Sequence, residues 1–141
     1  MKPIGYWLNR TDKALTRYMN DMLEGVGLIR IAWQVLNVIH DTHPVADTEV
    51  RSALSANADV PTLTAVIDTV LVDGWATRPA PDRLSLTPDG RQRLTRVAER
   101  VDAFRKLSTT GISPDEYNTA VHVLERMTRN LESAAGTAPT P

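Results

Sequence analysis

The chain has 141 residues, of which 42% are apolar and 23% charged. That is the balance of a soluble globular domain, at a length that can bury its own core. There is no cysteine, which excludes disulfides, thiolate metal sites and thiol redox chemistry. A net charge of −1 provides no global attraction to a polyanion.

No apolar run approaches the roughly 18 residues of a membrane span, and MKPIGYWLNR does not read as a secretion signal, so a cytoplasmic protein without a membrane partner is expected. Charge is unevenly spread along the chain. Met1–Asp73 holds six basic and nine acidic residues, Gly74–Lys106 eight and four, and the remainder two and four. A polyanion would find its field around residues 74–106.

Ile4, Trp7, Leu8, Leu15, Tyr18, Met19, Met22 and Leu23 recur near helical spacing. They predict an amphipathic helix over Pro3–Leu23, ended by Gly25 and Gly27. Leu28–Ile39 is apolar nearly all round, as a central buried helix is. The stretch His40-Asp41-Thr42-His43-Pro44 closes it, because a residue before proline avoids helical geometry. Asp47 or Thr48 can cap a short helix reaching Ser55, with Val50, Ala53 and Leu54 inward.

Asp59 can cap the next helix, with Pro61 in its first turn and Leu63, Val66, Ile67, Val70 and Leu71 facing the core. Gly74 stands where a C-terminal glycine belongs. Two short helices joined by a tight turn form a helix-turn-helix. Trp75–Arg78 and Arg83–Leu86 then flank Pro79-Ala80-Pro81-Asp82, the pattern of a small hairpin.

Thr87-Pro88-Asp89 starts a helix whose stripe is Leu94, Val97, Ala98, Val101, Phe104 and Leu107. Ser113-Pro114-Asp115-Glu116 is a capping box, and Tyr117, Val121, Leu124, Met127 and Leu131 form the last stripe. The expected architecture is mainly α: a winged helix-turn-helix with a small β-hairpin wing, in one domain over residues 1–132. Its helix-turn-helix falls at about 47–73 and its wing at about 75–86, followed by a disordered tail over 133–141. The terminal helices, about 3–23 and 88–132, carry more apolar surface than a small core needs, so a symmetric homodimer through them is expected.

The stretch Pro61-Thr62-Leu63-Thr64, Ile67-Asp68, Leu71, Gly74-Trp75 and Leu84-Ser85-Leu86-Thr87-Pro88-Asp89-Gly90 resembles the MarR-type transcriptional regulators. The resemblance runs from the first helix to Leu131. It implies a homodimer on palindromic duplex DNA, often released when a small aromatic or amphipathic ligand enters between the dimer helices and the reading head. Two departures stand out. Family members usually carry basic residues where this chain has Ala65 and Thr69, and their hairpin is usually longer, whereas only Asp82-Arg83 remain here.

With Leu63, Val66, Ile67 and Val70 inward, Thr62, Thr64, Ala65, Asp68 and Thr69 face outward as candidates for DNA contact. Arg78 and Arg83 on the wing are candidates for phosphate or minor groove. Surface pairing of Arg78 with Asp73, or Arg83 with Asp82, is the plain alternative. Arg91 and Arg93 are the arginines of the following helix nearest its N-terminus.

Trp7, Arg30, Trp33 and His40 are candidates to line a pocket for a small aromatic acid; equally, the tryptophans can be core or interface residues. His40 and His43 with Asp41 between them, followed by Asp47 and Glu49, would have to converge to hold a metal, and Pro44 breaks the helix among them, so a polar helix end is the expected reading and neither metal nor cofactor is expected. No nucleophile with a base, phosphate loop or carboxylate pair points to an enzyme. Two functions stay open: a DNA-binding regulator, or a winged-helix dimer that has lost DNA and serves as a ligand-binding or protein-interaction module.

Overall fold

The computed structural model describes residues 1–137. Its elements are α1 (Ile4–Glu24), α2 (Arg30–Asp41), β1 (Val45–Ala46), α3 (Asp47–Ala53), α4 (Val60–Val72), β2 (Ala76–Thr77), β3 (Arg83–Leu86), α5 (Pro88–Ser108) and α6 (Pro114–Thr137). They divide into two compact units, Met1–Asp102 and the segment from Ala103 onward.

The first unit is built around α2. Its apolar circumference meets α1, α3, α4 and β3. Leu36, Ile39, Leu63, Ile67, Leu84 and Trp75 are each at most 1% exposed. Burial of each such side chain contributes roughly 2 kcal/mol. No described polar or charged residue is buried, so this core is held by apolar packing.

Three antiparallel strands line up in the order β1-β3-β2, with Val45 opposite Leu84 and Ala76 opposite Leu86. β1 was not expected: two residues are too few to show a period of two. The second hairpin strand spans Arg83–Leu86 as expected, but the first is shorter than Trp75–Arg78, leaving residues 78–82 as the connection. Asp82 takes φ 59 there, a left-handed conformation that aspartate tolerates better than most side chains.

Most of the punctuation falls where the sequence places it. The Thr62 N–H donates to Asp59 at 2.8 Å, and Gly74 adopts φ 80 just beyond α4. Asp47 departs from expectation. Ala46 is the residue before α3 and no side chain caps the helix, so the Asp47 carboxylate is available for another partner. Ala53 and Ala98, expected inward, are exposed.

In the second unit, Ser113 and Glu116 close the capping box reciprocally at 3.0 and 3.1 Å. None of the described residues of α6 is buried. The helix continues to Thr137, through the start of the segment expected to be disordered. Ser133, Ala134 and Ala135 extend a helix at little cost. The rest of that expected tail lies outside the described residues.

Candidate nucleic-acid interface

Helix α4 is positioned by its buried stripe of Leu63, Val66, Ile67 and Val70. Helical periodicity then turns Thr62, Thr64, Ala65, Asp68 and Thr69 outward, and all five are exposed. The Thr69 hydroxyl donates to the Ala65 carbonyl at 3.0 Å, which leaves its lone pairs for an incoming donor. Asp59 occupies the amide end of α4, and hydrogen bonding from Thr62 holds its carboxyl below the usual range. A carboxylate therefore already sits where a phosphate would be drawn by the helix terminus.

The hairpin is fixed to α4 and α5 through Thr87. Its hydroxyl donates to the Gly74 carbonyl at 2.6 Å and accepts from the Gly90 N–H at 2.8 Å. The Thr87 N–H donates to the Trp75 carbonyl at 3.0 Å. A Cβ on Gly90 would stand 2.0 Å from that same carbonyl oxygen, so the segment Thr87–Gly90 requires glycine for a close backbone approach.

Arg78 does not pair with Asp73, the alternative to a DNA contact weighed for it. Its guanidinium grips Asp47 with two hydrogen bonds, 2.8 and 2.9 Å, across 31 residues of sequence. The hydrogen bond from Arg78 holds the Asp47 carboxyl below the usual range, against the opposing effect of burial. The same bond raises Arg78, with further contributions from Asp82 and Asp68. Arg78 is thus paired with one carboxylate, with two more acting on it from farther off. Arg83, by contrast, is exposed and has no ion pair among the described residues.

Arg93 is equally engaged. Its guanidinium lies 3.7 Å from the centre of the Trp75 ring, donates to the Asp73 carbonyl at 3.1 Å and stands 3.7 Å from Asp89. Stacking on a buried indole anchors the base of the wing. Arg91, two residues earlier, is exposed and unpaired among the described residues. Of the four arginines weighed for DNA contact, Arg83 and Arg91 are the two without an ion pair among the described residues.

The four candidates for an effector pocket do not share one lining. Arg30 starts α2; its N–H donates to Asn20 at 2.7 Å and its guanidinium reaches Thr16 at 2.9 Å and Asp12 at 3.1 Å. It lines a polar cleft of about 200 Å³ with Asp12, Thr16, Asn20, Gln34 and Asn57. Trp33, Trp7 and His40 are not among the residues lining it.

Trp33 is half-buried one turn along α2, and His40 lies roughly 15 Å farther down the helix axis than Arg30. Trp7 is exposed on α1, edge-on to Tyr6 at 5.1 Å with Arg10 beside it. His40 faces Asp41 at 3.2 Å, and His43 faces the His40 carbonyl at 3.3 Å. Among the described residues, no three or more His, Cys, Asp or Glu converge, and no helix is long and apolar enough to cross a membrane.

No protein family matches the chain by its sequence pattern, and no curated protein sequence does. Solved structures do match in fold. A mutant MarR from E. coli complexed with operator DNA superposes with a TM-score of 0.78 at 22% identity, over 89% of this chain and 93% of that one. A transcriptional repressor, CouR, bound to p-coumaroyl-CoA gives 0.79 at 22%, over 90% and 92%. A MarR-family regulator from Rhodococcus sp. RHA1 gives 0.77 at 21%, over 88% and 91%. The chain has the winged helix-turn-helix fold of these proteins.

Proposed function

We propose that this chain is a MarR-type transcriptional regulator that binds duplex DNA as a homodimer, with α4 as its reading helix. The observation carrying this reading is the open face of α4. Thr62, Thr64, Ala65, Asp68 and Thr69 stand exposed on a helix held by its opposite side, and a wing follows with Arg83 unpaired. The likeness to operator-bound MarR supports the same assignment of parts. Hydroxyls and an alanine methyl suit base edges and the thymine methyl, while Arg83 and Arg91 supply charge.

Two-fold pairing sets two such heads on a palindromic site, about 34–36 Å apart or a multiple of that. An effector site in the polar cleft beside Arg30 completes the proposal; Trp33, Trp7 and His40 lie outside its lining. CouR was solved bound to p-coumaroyl-CoA, which supports a small aromatic ligand as the class to try first.

The neutralisation of Arg78 and Arg93 favours a second reading, a winged-helix dimer serving ligands or proteins without DNA. Selection from randomised duplexes separates the two. A palindrome in the retained fraction is expected, with binding that falls on added salt at a log–log slope near about −4 for two free cations per head. Retention of no duplex at low salt favours the second reading.

A further inference from the structure

Residues 78–82 form the tip of the wing, and both ends of this tip meet the same residue. At the start, Arg78 is gripped by the Asp47 carboxylate at 2.8 and 2.9 Å. At the end, the Asp82 carbonyl accepts from the Asp47 N–H at 3.3 Å. The Asp47 side chain is only 15% exposed and that of Arg78 36%, so the pair is partly shielded from solvent. β1 adds the adjoining ladder, with Ala46 opposite Arg83. Asp47 is the first residue of α3, the leading helix of the helix-turn-helix.

We infer that Asp47 is a positioning residue that staples the wing to α3, with Arg78 as its counterpart rather than a DNA ligand, leaving Arg83 as the cation that the wing presents. Three facts converge on this. The two-pronged geometry matches a guanidinium to one carboxylate and uses two of its donors. Asp68 and Asp82 add negative charge around Arg78, so a phosphate approaching it meets repulsion as well as a competitor. The staple also sets where Arg83 stands, because Arg83 directly follows the anchored Asp82 carbonyl and pairs with Ala46.

The consequence for DNA rests on the function proposed above; the stapling itself does not. Two measurements keep them apart. In the DNA-free protein, amide hydrogen exchange over Arg83–Leu86 is expected to accelerate about tenfold in Arg78→Ala and in Asp47→Ala, and no further in the double variant. Unchanged exchange in both single variants would falsify the staple, whether or not the protein binds DNA.

On a selected duplex, the two single variants and the double should weaken binding to the same extent without changing the salt slope. Arg78→Lys, which keeps the charge but loses the fork, should not rescue binding. Arg83→Ala should flatten the slope by about 0.9 per wing. Tighter binding with a steeper slope in Asp47→Ala overturns the assignment, because Arg78 would then be a phosphate ligand that Asp47 restrains. If no duplex binds while exchange accelerates as expected, the staple stands and the DNA function falls.

Discussion

At the scale of single residues, the most constrained position is Gly90. Its neighbour is backbone, the Trp75 carbonyl, which has little room to retreat. Gly90→Ala is expected to cost about 3 kcal/mol, the upper end of ordinary overpacking, measured as a lower urea midpoint with the slope unchanged. A loss below about 0.5 kcal/mol would show that the hairpin and α5 separate readily. Thr87-Pro88-Asp89-Gly90 was legible as a helix start from local chemistry alone. That its threonine also holds the Gly74 carbonyl was not, because this bond spans 13 residues and leaves no periodic trace.

The Asp47–Arg78 pair was illegible for the same reason, at a separation of 31 residues. Its acidity gives a second prediction at this scale. The Asp47 pKa is lowered in the folded state, so the folded protein binds fewer protons there than the unfolded chain. That stabilisation is complete above the ordinary carboxylate range, near pH 4 and above, and is lost as pH falls through the lowered value. Asp47→Asn should therefore be less stable than the parent by about 1 kcal/mol at pH 7, with the gap closing as pH falls below the ordinary carboxylate range. A gap that persists in acid would mean that the asparagine fails for packing reasons.

Among the elements, helices were the easiest to read. The α4 stripe follows from spacing, and the exposures of Leu63, Val66, Ile67 and Val70 agree with it. Asp59 and Gly74 mark its ends through side-chain and backbone chemistry that is local by nature. β1 and the true wing partners depend on what folding brings together, so the sequence was silent on them. The stripe of α5 also weakens with distance. Leu94, Val97 and Val101 are buried, whereas Phe104 is half-buried and Leu107 is 54% exposed. The apolar pattern is continuous along the helix; the surface that would cover its later half is not supplied within the described residues of one chain.

For the molecule as a whole, the uncovered surface argues for a partner copy. Ile4, Trp7 and Leu8 on α1 and Tyr117, Val121 and Leu131 on α6 are all more than 40% exposed. Lone apolar residues at a surface are ordinary, but a long helix with no buried residue among those described is not a stable arrangement in isolation. Sedimentation at micromolar concentration should give twice the chain mass of 15.6 kDa, and Val121→Asp with Leu131→Asp should shift it toward the single chain. A monomeric parent protein removes the two-headed geometry and with it the palindrome.

Trp75, Thr87 and Gly90 have one more consequence, for transmission. Because the threonine hydroxyl joins the end of α4 to the start of α5, the hairpin between them is a ring sewn shut at its neck. A ring of this kind does not swing on its own. If the chain pairs and reads DNA as proposed above, the hairpin and α4 are expected to move together, which a distance measurement between two wing labels would register as one change.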